Sequence, residues 1–147
     1  MIEIVDVTDA AGVVVAPDWL RRAEAVHRQL RTGLPPDYEA KMRRVFAGGG
    51  RMCVAVDGSR VAGVAVYRIH ENTWAGRQLY IDDLVTDEAR RSGGVGRTLL
   101  AHLERKARED GLENLALDSG THRQQAHKFY FREGMVVTSF HFAKKLA

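Results

Sequence analysis

Cysteine is nearly absent from this 147-residue sequence, and long hydrophobic runs are missing altogether. Cys53 is the single cysteine, so the fold cannot depend on disulfides. Its apolar neighbours in segment 52–56 predict a small buried side chain rather than a catalytic thiol. No segment approaches the roughly 18–20 apolar residues that a membrane span needs, and the N-terminus lacks a basic stretch followed by an apolar core. These absences predict a cytoplasmic protein with no membrane partner.

A strong excess of one charge is lacking as well. The net charge is +3 and the isoelectric point is about 9.2, a balance too mild to indicate a nucleic-acid-binding protein. Basic residues do outnumber acidic ones between Arg21 and Arg44. A solvated helix face is the simple explanation for this segment, and an acidic partner such as RNA is the alternative.

The length and a hydrophobic content of 45% fit one globular domain over residues 1–147. Hydrophobic periodicity predicts strands at 2–7, 52–56, 61–69, 78–85, 115–117 and 135–142, and helices at 17–30, 37–46, 95–107 and 123–132. The Asp57-Gly58 pair predicts a hairpin between the second and third strands. The strand-helix-strand successions after residue 78 predict parallel pairing through right-handed crossovers. The predicted fold class is therefore α/β with a mixed sheet, in the order β-α-α-β-β-β-α-β-α-β.

A glycine-rich segment, residues 91–96 and hereafter the glycine loop, separates the strand at 78–85 from the helix that begins near Val95. The first N–H groups of a helix have no internal partners and lie at the positive end of its dipole, so such a place binds anions. Glycine allows the backbone to approach a phosphate closely, and Arg90, Arg91 and Arg97 add charges that can pair with its oxygens. An ordinary strand-to-helix turn is the alternative that the local composition leaves open.

Two well-known phosphate loops do not fit the glycine loop. A P-loop ends in Gly-Lys-Ser/Thr, but Gly96 is followed by Arg97 and Thr98, and the motif would have to begin at Arg91 with a glycine. A dinucleotide-binding fingerprint that begins at Gly94 needs a glycine where Leu99 stands. Both nucleotide-binding classes are therefore excluded.

The glycine loop instead follows the pattern Arg-x-x-Gly-x-Gly, as Arg91-Ser92-Gly93-Gly94-Val95-Gly96, and resembles the coenzyme A loop of the GNAT-type N-acetyltransferases. Upstream, the segment from Tyr80 to Asp87 resembles the fourth strand and following loop of that family. Downstream, the segment from Phe129 to Gly134 resembles its Phe-Tyr-x-x-x-Gly motif. The three motifs occur in order between about Gln78 and Met135, whereas the first 46 residues carry no motif of the family. The resemblance implies a GNAT-like acyltransferase fold with acetyl-CoA as cosubstrate.

The same resemblance implies how acetyl-CoA is held. Its pyrophosphate is expected on the glycine loop, and its pantetheine arm on backbone groups of a strand that diverges from its neighbour, with the Val85 N–H bound to the thioester oxygen. Ser119 and Arg123 stand where many members of the family have an asparagine that contacts the pantetheine. The coenzyme-binding residues implied in this way are Leu84, Val85, Thr86, Arg91, Ser92, Gly93, Gly94, Val95, Gly96, Arg97, Ser119 and Arg123.

Two catalytic residues follow from the resemblance. Tyr130 occupies the position of the tyrosine that often protonates the departing thiolate; a core aromatic is the alternative, because Ala126 and Tyr130 lie at helical spacing. Asp82 occupies a position where the family often has a glutamate that takes a proton from the amine, commonly through water. Alternation along a strand sends the side chains of Asp82 and Asp83 to opposite faces. Both aspartates could also be charges at the rim of the sheet.

His122 and His127 lack a third residue at metal-ligand spacing, so helix capping or solvent exposure is favoured and no metal is predicted. The resemblance implies direct acetyl transfer to a primary amine, without a covalent enzyme intermediate. Segments 19–46 and 69–77 are expected to line the acceptor site, but a small amine, an antibiotic, a protein lysine and a protein N-terminus all stay open. A non-catalytic acyl-CoA sensor of the same fold is the other function class, and a homodimer also stays open.

Overall fold

A computed structural model describes residues 1–147, which form two compact units, Met1–Ala116 and Leu117–Ala147. The order of elements follows the predicted one as far as the fourth helix. The elements are β1 (Glu3–Asp6), α1 (Pro17–Leu30), α2 (Tyr38–Ala47), β2 (Arg51–Asp57), β3 (Arg60–Asn72), β4 (Gly76–Thr86), a 3₁₀ helix (Glu88–Arg90), α3 (Val95–Glu109), β5 (Asn114–Leu117) and α4 (Gln124–Arg132). No helix of the chain is both long and apolar enough to cross a membrane.

The five strands form one sheet in the order β1-β2-β3-β4-β5. The first four strands pair antiparallel, β1 with β2, β2 with β3 and β3 with β4, and the sheet as a whole is mixed, which confirms the predicted fold class. The hairpin between β2 and β3 turns at Gly58, whose φ of 61° favours glycine. β3 continues past its predicted end at Ile69 to a short turn before β4, so segment 69–77, which is expected to line the acceptor site, belongs to a strand hairpin.

A β-bulge interrupts the pairing of β3 with β4. Val66 pairs with Asp83 and the next residue, Tyr67, pairs with Ile81, so Asp82 is an extra residue on β4. A bulge of this kind bends its strand and changes the direction of the side chains on it. The two aspartates that the sequence singles out therefore lie at an irregular point of the sheet.

Helices cover the two faces of the sheet differently. On one face α1 and α2 contribute a buried core with side chains of β2, β3 and β4; it includes Leu20, Ala23, Met42, Phe46, Val54, Val64 and Val85. On the other face α3 packs closely over Gly63. A Cβ at Gly63 would lie 2.8 Å from side-chain carbons of both Val95 and Leu99, so only glycine permits this approach. The same contact fixes where α3 begins, which is the end that holds the glycine loop.

The predicted strand at Met135–Phe142 is wrong. Residues 135–147 of the second unit carry no regular secondary structure, and Val136, Val137, Phe140 and Phe142 are 70–93% exposed. Alternation in a sequence predicts which face of a strand is apolar, but a strand also needs a neighbour that satisfies its backbone hydrogen bonds. No sheet neighbour pairs with this segment.

Candidate active site

The glycine loop is anchored on its N-terminal side. Asp87 begins the 3₁₀ helix and accepts a hydrogen bond from Nε2 of Gln29 at 3.1 Å, and Gln29 accepts one from the backbone N–H of Glu88 at 2.9 Å. Arg90 donates to Oδ2 of Asp57 in the β2-β3 hairpin at 2.6 Å. These bonds attach the start of the loop to α1 and to the hairpin. Arg90 is consequently committed to Asp57, which makes it poorly suited to bind phosphate.

Two residues of the glycine loop have left-handed backbone conformations just before α3 begins. Ser92 has a φ of 69° and Gly94, the residue that caps α3, has a φ of 81°. The Gly93 N–H donates to the carbonyl of Arg90 at 3.3 Å. No side chain caps this 15-residue helix and its first turn holds no acidic residue. The N–H groups at the start of α3 therefore have neither a side-chain cap nor a first-turn carboxylate that would compete with an anion.

The second half of β4 has one paired edge and one open edge. Leu84 and Val85 pair with β3, and their side chains are 9% and 7% exposed, so they offer little besides backbone groups. On the other edge β5 begins beside Gln78, whose Oε1 accepts a hydrogen bond from Asn114 at 3.2 Å. β5 has only four residues, so at equal rise per residue it ends before Leu84. The backbone of Leu84–Thr86 is thus available to an extended ligand along that edge.

The expected placement of Asp82 and Asp83 on opposite faces is wrong. Asp83 pairs with Val66 and reaches His27 on α1. Asp82 reaches Arg68, which lies two residues from Val66 and so on the same face of β3. The bulge is the cause, because an extra residue breaks the alternation at this point. Both carboxylates consequently lie on the face that α1 covers.

Asp83 is held by a buried network. His27 is 1% exposed; its Nε2–H donates to Oδ2 of Asp83 at 2.7 Å, and its Nδ1 shares a hydrogen bond of 2.8 Å with the Tyr38 hydroxyl. Nε of Arg31 donates to the other oxygen of Asp83 at 2.6 Å, and its Nη2 donates to the carbonyl of Asp82 at 2.9 Å. Burial alone would raise the pKa of Asp83, but the bonds and charges of His27 and Arg31 outweigh it and hold that pKa below its ordinary value. Asp83 is therefore a fixed anion at neutral pH.

Asp82, the predicted base, is hydrogen-bonded through only one of its two carboxylate oxygens. Nε and Nη2 of Arg68 both donate to its Oδ2, at 2.9 and 2.7 Å. Its Oδ1 accepts no hydrogen bond, and the side chain is 27% exposed against 13% for Asp83. Of the two carboxylates, Asp82 is the one that can receive an amine.

Polar side chains continue along this face of β3 and β4. His70 and Gln78 pair across the strands, with Nε2 of Gln78 3.0 Å from Nε2 of His70. The Nδ1 atom of His70 is buried and has no partner. We call this set of side chains the polar stripe; its members are Asp83, Asp82, Arg68, Tyr80, His70 and Gln78.

Sequence reasoning placed segment 19–46 at the acceptor site, but it did not identify His27 as part of that site. His27 lies on the buried face of the helix, at the spacing of Leu20, Ala23 and Leu30, where apolar side chains are expected. A histidine at such a position indicates a buried polar contact, because a buried ring nitrogen needs a partner. The identity of that partner, 56 positions along the chain, has no local signal.

Tyr130, Arg123 and Ser119 lie in the second unit. Burial raises the pKa of Tyr130 above its ordinary value, although a hydrogen bond with Arg123 and the charge of Arg123 oppose this. The Ser119 hydroxyl oxygen is buried and has no partner. Nε2 of His127 lies 2.8 Å from the carbonyl oxygen of Gly120, so this ring nitrogen is hydrogen-bonded to the backbone.

Comparisons with known proteins show the family and the fold of this chain. The acetyltransferase (GNAT) family model matches residues 17–135. The aminoalkylphosphonate N-acetyltransferase of Salmonella typhimurium is 36% identical over 80 residues, 54% of this chain and 50% of that protein, so the match spans half of its length. A putative acetyltransferase from Agrobacterium tumefaciens superposes with a TM-score of 0.77 at 26% identity, over 97% of this chain and 99% of its own. An aminoglycoside N-acetyltransferase in complex with CoA superposes with a TM-score of 0.82 at 18% identity, over 100% and 96% of the two chains, and shows the same fold.

Proposed function

The chain belongs to the acetyltransferase (GNAT) family, and we propose that it transfers an acetyl group from acetyl-CoA directly to a primary amine. The observation that carries the proposal is the start of α3, where backbone N–H groups without a side-chain cap or a nearby carboxylate follow the glycine loop. This is a site for a phosphate-bearing ligand. The open edge of β4 at Leu84–Thr86 suits an extended amide chain such as pantetheine. The family model runs across both compact units, which supports a single acetyltransferase domain over residues 1–147.

The residues divide the binding of acetyl-CoA between them. Backbone groups of Ser92–Gly96, together with the charges of Arg91 and Arg97, bind the pyrophosphate. Backbone groups of Leu84–Thr86 bind the pantetheine, and the N–H of Val85 stabilises negative charge that develops on the thioester oxygen. We also assign further polar contacts with the coenzyme to Ser119 and Arg123, as the family resemblance implies. The coenzyme supplies an acetyl thioester, which is already reactive toward an amine.

Two side chains assist the chemical step. Asp82 receives a proton from the amine, directly or through water, at Oδ1, the oxygen that Arg68 leaves unbound. Tyr130 stabilises the departing thiolate. A raised pKa keeps its phenol protonated at neutral pH, so its main contribution is a hydrogen bond rather than complete proton transfer.

An acceptor screen tests the proposal. Purified protein is incubated with acetyl-CoA and a panel of amines, and release of the free thiol of coenzyme A is followed. We expect at least one amine to be acetylated. We also expect Asp82→Asn to lower kcat/KM by about 10²–10⁴-fold, whereas Asp110→Asn, a change at the exposed end of α3, should leave it unchanged. Binding of acetyl-CoA without turnover of any amine would contradict the proposal and favour a sensor.

A further inference from the structure

The polar stripe carries charges of both signs on one sheet face. Contacts along it run from Arg31 to Asp83, and from Asp82 to Arg68. The side chains of Arg31 and Arg68 are 51% and 40% exposed, so their guanidinium groups remain accessible. Two guanidinium groups balance the charge of two carboxylates, so the site offers a polycation no net negative charge and still leaves a place for one ammonium group.

The unused atoms of the Asp82–Arg68 pair are complementary to a zwitterion. Both hydrogen bonds of the pair fall on Oδ2 of Asp82 and come from Nε and Nη2 of Arg68. Oδ1 of Asp82 therefore keeps its acceptor sites, and Nη1 of Arg68 keeps its donors. An ammonium can bind at the first atom and an acidic oxygen at the second.

A series of side-chain hydrogen bonds ends at a histidine of the polar stripe. Asn114 donates its amide N–H to Oε1 of Gln78 at 3.2 Å, and the Gln78 amide in turn donates to Nε2 of His70 at 3.0 Å. Since Nε2 of the neutral ring accepts, the hydrogen of the ring is on Nδ1. This Nδ1–H is the buried atom without a partner. Buried donors are nearly always satisfied in proteins, so this one favours an acceptor oxygen on a ligand.

We propose that the site selects small amines that also carry an acidic group, with the ammonium at Asp82 and the acidic group at Arg68 and the Nδ1–H of His70. His70 follows Arg68 by two residues and so lies on the same face of β3. The inference rests on the proposed acetyl transfer, because Asp82 is assigned there to the reacting amine. It adds the chemical class of the acceptor, which neither the glycine loop nor β4 specifies.

The test compares amines matched in size. β-Alanine and 2-aminoethylphosphonate carry an acidic group, n-propylamine and ethylamine do not, and kanamycin is a polycation. We expect kcat/KM to be about 10–100-fold higher for each acidic amine than for its matched alkylamine, and kanamycin to be the poorest substrate. In Arg68→Gln this preference should fall toward one, because the alkylamines lose no contact with the guanidinium. Arg108→Gln, at an exposed arginine on α3, is the matched control and should retain the full preference.

A second variant keeps the proposal testable if Arg68→Gln does not fold. His70→Phe keeps an aromatic ring but removes the Nδ1–H, and it should raise KM for the acidic amines more than it lowers kcat. Equal use of acidic and alkyl amines by the unaltered protein would overturn the acceptor class while leaving acetyl transfer intact. Faster acetylation of kanamycin than of β-alanine would likewise overturn the acceptor class and leave acetyl transfer intact.

If the protein acetylates no amine, measurements of amine binding can still distinguish the proposed acceptor class from the proposed acetyl transfer. If no amine is acetylated, calorimetric titration of β-alanine and n-propylamine into the protein with acetyl-CoA present still measures acid recognition. Binding of β-alanine alone, lost in Arg68→Gln, would support the inferred ligand class although acetyl transfer had failed. Binding of neither amine would overturn both proposals.

Discussion

Nε2 of His27 lies 2.7 Å from Oδ2 of Asp83, and only 1% of the histidine is exposed. The contact joins the middle of α1 to the bulged point of β4. It fixes the orientation of Asp83 and, through the chain, that of the neighbouring Asp82. A buried polar contact of this kind supports a unique arrangement of the site more than it adds net stability.

Replacing His27 should therefore be costly. In His27→Phe the Oδ2 atom of Asp83 and the Tyr38 hydroxyl each lose the histidine as a partner, while Arg31 still binds Oδ1 of Asp83. We expect the free energy of unfolding to fall by about 3–5 kcal/mol. Tyr38→Phe leaves the contact with Asp83 in place and should cost only about 1 kcal/mol. Urea unfolding followed by circular dichroism measures both variants. Equal losses would mean that the histidine–carboxylate contact does not contribute as argued.

The lowered pKa of Asp83 predicts an acid-sensitive contribution to stability. A carboxylate with a lower pKa in the folded than in the unfolded protein contributes stability above the unfolded value of about 3.9, and the contribution is lost as the pH falls through the folded pKa. The stability difference between the unaltered protein and Asp83→Asn should thus be large at pH 7 and smaller at pH 3. Urea titrations at several pH values measure it. A difference that grows on acidification would show that the sign is reversed.

The left-handed backbone of the glycine loop predicts opposite effects at two neighbouring positions. Gly94→Ala places a Cβ on a residue with a φ of 81° and should cost about 1–2 kcal/mol and weaken coenzyme A binding. Ser92→Gly removes a Cβ from a residue with a φ of 69° and should relieve strain there. Melting temperatures and the Kd for coenzyme A are the readouts. Gly33→Ala is the control, since Gly33 has neither a positive φ nor an atom within 4 Å of its added Cβ.

Tyr130→Phe should separate chemistry from binding. Loss of the phenolic hydrogen bond to the thiolate should lower kcat by about 10²–10⁴-fold, while acetyl-CoA binds as before because the glycine loop is intact. Steady-state kinetics and calorimetric titration give the two quantities. An unchanged kcat would remove Tyr130 from the mechanism.

Cys53 should be inert toward thiol reagents in the folded protein. It is 0% exposed, and burial raises the pKa of its thiol to about 12. A disulfide reagent should label it only after unfolding in urea. Rapid labelling under native conditions would contradict the buried placement. The same property keeps the thiol assay for coenzyme A release free of background from the protein.

The glycine loop could be recognised from the sequence because its chemistry is local. Glycines, flanking arginines and the start of a helix lie within a few residues of one another, and short-range backbone geometry places them together. The same holds for α1 and α2, where Pro17 and the Asp37 cap mark the beginnings of the helices; the Asp37 carboxylate accepts from the N–H of Ala40 at 3.0 Å. The family resemblance rested on such local motifs, and the fold it implied is confirmed.

Tertiary structure decided the contacts between distant segments. The bulge at Asp82 depends on how β3 and β4 pair. The rule of alternation along a strand therefore predicted that Asp82 and Asp83 lie on opposite faces of the sheet, whereas both lie on the same face. The partners of His27, Arg68 and the last apolar segment likewise depend on which surfaces meet. For His27 a partner exists 56 positions away, whereas for residues 135–142 no neighbouring strand pairs and the predicted strand is missing. The sequence by itself determined the family and the order of the elements as far as the fourth helix. Only packing across the sheet decided how the carboxylates, guanidinium groups and imidazoles are paired, because those interactions act through space between residues far apart in the chain.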